Sequence, residues 1–208
     1  MLFEVLDNYK PAFHEPLYSA LGCLGIEYIF PDIFPYLKTA DAKLRKTVID
    51  ALRWALGPDE LLPLNMEDCE YLITLWEASN NVFEKVDLGQ LLTYNCSHLS
   101  KDILLKRFSD PTYPFREQLI DLIANLNLAK GDLPTDLIEW LITKLDYKSQ
   151  LIHRQSPVAL ILGKICDEST VTEKLIPLLK SENEALRSNA FVAVTQAERN
   201  VGKRFIRK

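Results

Sequence analysis

Arg45, Arg116 and Arg187 stand at equal intervals of 71 residues (45 to 116, 116 to 187), each directly behind a large apolar residue, Leu44, Phe115 or Leu186. The interval divides into two units of about 35 residues, within the period range of stacked helical repeats. Each arginine follows a polar turn and opens a run with helical periodicity. Counted from the arginine, positions +3, +4, +6, +7 and +10 are Val48, Ile49, Ala51, Leu52 and Ala55 in the first of these runs. They are Leu119, Ile120, Leu122, Ile123 and Leu126 in the next, and Ala190, Phe191, Ala193, Val194 and Ala197 in the last. These positions form one stripe of a helix, so all of them are expected to be buried against neighbouring helices. A lone helical pair cannot cover such a stripe, whereas stacking does.

The complementary positions are expected to face water or a ligand. They are Lys46, Thr47, Asp50, Arg53 and Trp54, then Glu117, Gln118, Asp121, Ala124 and Asn125, then Ser188, Asn189, Val192, Thr195 and Gln196. An edge copy counted from Lys10 adds Glu15, Tyr18 and Ser19; its ending, Ser19-Ala20-Leu21-Gly22, recurs as Trp54-Ala55-Leu56-Gly57.

Read in order, the chain gives about six helical pairs. Residues 1–24 form an N-terminal edge pair interrupted by Pro11. The helix from Glu27 to Leu37 is expected to break or kink at Pro31 and Pro35. Met66–Ser79 and Glu84–Asn95 form the third pair, and the fourth runs from Leu99 to about Leu128. Leu137–Leu145 opens the fifth, whose second helix starts at Pro157 with Ser156 as its cap. Residues 199–208 form a basic C-terminal tail. No run alternates with period two between hairpin turns, so no strand is expected. No Gly-, Ser- or Pro-rich linker divides the chain, and residues 1–208 read as a single domain.

The plan of apolar helix, polar turn, apolar-Arg and Ala-rich helix resembles the HEAT repeat family. Ser109-Asp110-Pro111 with Phe115-Arg116, Asp41 with Leu44-Arg45, and Asn183 with Leu186-Arg187 carry the resemblance. It implies an all-α, right-handed α-solenoid whose second helices line a concave, partner-gripping face. It also implies that Arg45, Arg116, Arg154 and Arg187 cement the stack by bridging to acidic or amide groups of an adjacent turn. Some proteins of this plan are bilin lyases or isomerases, and others are glycosylases acting on alkylated DNA. Asp50, Arg53 and Trp54 are the residues that the second of these activities would use.

Composition narrows the partner. A formal charge of −5 opposes a general nucleic-acid or anionic-membrane binder. Met1-Leu2-Phe3-Glu4 begins no signal peptide, and no apolar run has the length of a membrane span. Cys23, Cys69, Cys96 and Cys166 lack metal-ligand spacing and read as free thiols in a reducing cytoplasm. His14, His98 and His153 form no metal-binding set, and neither a phosphate loop nor a nucleophile elbow is present. No catalytic residue, cofactor or metal is therefore expected.

The expected function is a cytoplasmic, non-catalytic scaffold, adaptor or inhibitor that binds another protein, with an immunity-type role against a basic partner as one form. Tyr18, Asp50, Arg53 and Trp54, with Glu117, Asp121 and Asn125, are the candidate partner-binding residues. The rival surface is the acidic stretch 59–87, in which Asp59, Glu60, Glu67, Asp68, Glu70, Glu77, Glu84 and Asp87 face Lys85 alone. Trp76 is expected in the core.

Overall fold

The computed structural model describes residues 25–39, 42–56, 62–93, 98–148 and 155–206. The edge pair with His14, Tyr18 and Cys23, the turn residue Asp41, and Asp59, Glu60, Cys96, His153, Arg154, Arg207 and Lys208 fall outside the described residues. The side chains of Leu44, Trp54 and His98 do too. Every regular element among the described residues is helical. The chain divides into two compact units, Met1–Lys101 and Asp102–Lys208.

In the first unit, α1 (Ile26–Ile33) and α2 (Pro35–Thr39) are one apolar segment broken at Phe34. Pro31 inside α1 and Pro35 at the head of α2 each lack the N–H that a continuous helix would use. Ile29, Phe30 and Ile33 turn inward, and Glu27, Tyr28, Pro31 and Asp32 face out. α3 (Ala42–Ala55), α4 (Met66–Ala78) and α5 (Val82–Thr93) follow. α1 and α2 pack on α3, α3 on α5, and α4 on α5. The α3 stripe from Val48 to Ala55 is buried as its spacing requires, and so is Trp76 on α4.

α6 (His98–Ser109) leads into the second unit, followed by α7 (Arg116–Ile123), α8 (Thr135–Thr143) and α9 (Pro157–Ile165). Ser156 caps α9 by accepting the Ala159 N–H, and Pro157 takes the first position. A helical run then comprises α10 (Glu168–Thr170), a π-helical turn at Val171–Leu175 and α11 (Ile176–Leu178). The π turn precedes Pro177, whose missing N–H interrupts the ordinary ladder. α12 (Glu184–Val201) is capped by Asn183 and stopped by Gly202 at φ 69°. Beyond it the Phe205 and Ile206 N–H groups donate to Glu198, so the tail folds back on the helix end.

The α7 stripe is buried throughout. On α12, Ala190, Ala193, Val194 and Ala197 are buried, but Phe191 is 52% exposed, against expectation. Its position lies about 100° round the helix from Ala190, off the line of Ala190, Ala193, Val194 and Ala197 that is buried. That line allows close approach. A Cβ at Gly163 of α9 would lie 2.5 Å from the Gln196 Cβ and 3.0 Å from the Ala193 carbonyl oxygen.

Polar contacts repeat the period of the sequence. On first helices, Lys38 of α2 pairs with Asp68 of α4 at 2.9 Å, and the Tyr71 hydroxyl donates to the Leu37 carbonyl. On second helices, Arg45 and Arg53 of α3 reach Glu84 and Asp87 of α5. In the second unit Lys174 pairs with Glu139 of α8, and Asn200 of α12 donates to the Gly163 carbonyl of α9. These six contacts join residues 30 to 39 positions apart, about one repeat. Lys164 donates to the Ala124 and Leu126 carbonyls at 2.8 Å, closing the C-terminal end of α7. Burial holds its ammonium below the ordinary lysine value.

The arginines Arg45, Arg116 and Arg187 are engaged differently. Arg45 reaches a carboxylate in the next pair, as expected of cement. Arg116 instead donates to the Phe108 carbonyl and lies 4.2 Å over the Trp140 ring, and Arg187 donates to the Ser181 carbonyl. Cys69 and Cys166 are free and buried, and burial pushes the Cys166 thiol up to about 12.

Gly163→Ala should cost about 1–3 kcal/mol in urea melts, since the obstacle is the α12 backbone as well as a side chain. A variant as stable as the parent would show that α9 and α12 do not approach this closely.

Candidate functional site

The outward stripe of α3 carries alternating charge. The Lys46 ammonium lies 3.0 Å from Asp50, one turn away, and the Arg53 guanidinium lies 2.6 Å from Asp87 on α5. Burial raises the Asp87 carboxyl above the usual carboxylate value and the Asp50 charge adds to this, while Arg53 and Lys46 oppose it. Asp50 and Arg53 therefore share one surface, each already engaged by an opposite charge. Tyr18 and the Trp54 side chain, the aromatic half of this candidate site, lie outside the described residues.

The α7 candidates are brought together, but not as an open surface. Glu117 pairs with Lys144 just beyond α8. Asp121 is 2% exposed and accepts a hydrogen bond from the Tyr147 hydroxyl at 3.2 Å. Asn125 donates to the Asp121 carbonyl. Asp121 and Ala124 were expected to face water; both are buried. The segment after α8 folds over the stripe, and Lys164 closes its end, so α7 is covered on two sides. Trp140 stands beside this cover, edge-on to Phe108 and beneath Arg116 and Lys144. Burial, with the negative charges of Asp121 and Glu117, pushes the Tyr147 phenol far up.

Three of the acidic residues described from this stretch, Asp68, Glu84 and Asp87, are engaged between helices. Asp68 is buried against Lys38, Glu84 accepts from Arg45 and from the Ser79 hydroxyl, and Asp87 accepts from Arg53. Glu67, whose side chain is 87% exposed, stays outward at the head of α4. Charges expected to form a docking face thus partly hold one helix to the next.

A cleft of about 230 Å³ that the sequence reading missed lies where α1, α2 and α4 meet. Phe30, Pro31, Phe34 and Pro35 form apolar walls, and Lys38 and Asp68 close one side. The two phenylalanine rings stack at 4.7 Å. The Lys38 ammonium lies 5.6 Å from the Phe34 ring and 5.8 Å from that of Tyr71. The prolines that break the helix are the only local signal for this cleft; Asp68 comes from a distant segment.

The chain has no significant match among protein-family models, curated proteins or solved structures. Among the described residues, no group of three His, Cys, Asp or Glu side chains is placed to hold a metal ion. No helix among them is long and apolar enough to cross a membrane.

Asp121→Ala should now cost about 1–3 kcal/mol, the scale for disrupting a buried hydrogen-bonded group, and not the near-zero cost of a surface change. The Tyr147 phenol titrates higher in the folded state than in the unfolded one. Its contribution to stability is thus present below about pH 10 and lost as pH rises above that. Tyr147→Phe should flatten that alkaline loss in urea melts. A loss unchanged in the variant would show that Tyr147 is not in this environment.

Proposed function

We propose that this chain is a HEAT-like α-solenoid that works by binding another protein rather than by catalysis. The supporting observation is the set of contacts one repeat apart, first helix to first helix and second to second. A chain so joined spends its apolar stripes on its own neighbours and leaves outward faces for a partner, which is how repeat arrays present binding surfaces. The residual acidity of those faces, with a chain charge of −5, favours a basic partner through complementary fields. An adaptor or an inhibitor of the immunity type fits that charge. By their positions in the sequence repeat, Asp50, Arg53 and Trp54, with Tyr18 of the preceding unit, are the residues assigned to the primary gripping face.

The test is co-purification with the tagged chain under native conditions, followed by affinity measurement on the purified pair. Trp54→Ala should weaken the complex by about 2 kcal/mol or more, the range for an aromatic anchor, with an unchanged melting transition. Salt should weaken it as well. A chain that retains no protein above the untagged control would contradict the reading.

A further inference from the structure

Resting on the protein-binding reading, we infer that the cleft between α1, α2 and α4 is a second docking site, taking one large apolar side chain from a basic peptide segment of the partner. The walls select the apolar group. Phe30 and Phe34 are themselves 7% and 3% exposed, so they form a packed floor rather than loose aromatics. Pro31 and Pro35 are exposed and rigid, and they keep the rim open without a mobile side chain to fill it. A cleft of about 230 Å³ has room for one such side chain and not for a folded element.

Charge selects the flanks. Lys38, the cation of the cleft, is committed to Asp68 at 2.9 Å and lies 3.6 Å from Glu67. Glu27 sits one helical turn before the Pro31 wall, Asp32 follows that wall, and Glu67 stands beside Asp68; all three are exposed. Tyr28 of α1 is 72% exposed on the same outward side as Pro31 and adds an apolar shoulder. An anionic segment would meet exposed carboxylates on both flanks, Glu27 and Asp32 around Pro31 and, beside Asp68, Glu67, which shares the single Lys38 ammonium with Asp68. A segment carrying Arg or Lys on either side of a leucine meets them with opposite charge, and burial of the leucine supplies the apolar part.

The probe is a synthetic peptide with a central leucine flanked by arginines, titrated into the full chain and followed by amide NMR shifts and calorimetry. Two controls replace the leucine by glycine or the arginines by glutamates. The inference expects shifts centred on residues 30–38 and 67–71, and at least about a tenfold loss of affinity for either control. Pro31→Ala removes a wall while restoring a helical N–H, so it should weaken the peptide about tenfold without lowering the melting temperature. Glu67→Gln, at a position 87% exposed, removes one of the flanking charges with little change in shape and should also weaken the arginine-flanked peptide. No binding, shifts centred on α3, or equal affinity for all three peptides would overturn the cleft assignment. If the co-purified partner binds both variants as it binds the parent, the cleft is wrong and the protein-binding reading stands. If nothing co-purifies with the parent chain, that reading itself fails.

Discussion

A helix such as α3 has apolar residues on more of its circumference than its own partner helix covers, and water is a poor neighbour for Val48, Ile49 and Leu52. The remainder must be covered by another helix one repeat away. α5 supplies that cover for α3, and α9 supplies it for α7 and α12. Most other features of the described chain follow from this need, including the small residues where α9 meets α12 and the polar links that fix the register of neighbours. Gly163 stands at the tightest of these approaches.

Apolar stacking is non-directional, so it does not by itself choose between neighbouring registers. The charged contacts do. Arg45 and Arg53 lie two turns apart on α3 and reach Glu84 and Asp87 on α5, so a slip along the axis separates both pairs. Asp68 and Asp121 are both buried; Asp68 has its partner on α2, and Asp121 has its partner in the segment that follows α8. A buried carboxylate is costly without its partner, so a shift that separates either pair is penalised. The same logic removes charge from the outer surface, because acids used between helices are not available to a partner.

Much of the plan was legible in the sequence because it depends on local chemistry. The proline break near Phe34, the Ser156-Pro157 start of α9 and the buried stripes of α3 and α7 follow from spacing, capping and missing N–H groups. What failed depends on residues far along the chain. Asp121 reads as surface by helical period, and only the fold of residues 144–147 hides it. Phe191 reads as core, yet it lies to one side of the buried line of Ala190, Ala193, Val194 and Ala197 and is 52% exposed. The aromatic cleft needed Asp68 brought to Phe34, a pairing that no local pattern records. Acidic residues were legible as charge, but not as counter-ions, since their partners sit a full repeat away.

The central claim is that neighbouring helices are held in register by contacts between residues about 35 positions apart, and Arg45 with Glu84 tests it most directly. Both side chains are mostly buried, and the pair spans 39 residues of sequence. A double-mutant cycle of Arg45→Ala and Glu84→Ala, measured by urea denaturation, isolates their coupling from the effect of each truncation. The account expects a favourable coupling of about 0.5–3 kcal/mol, the range for residues in contact. Strictly additive losses would contradict it, because two side chains that never meet have no coupling to lose.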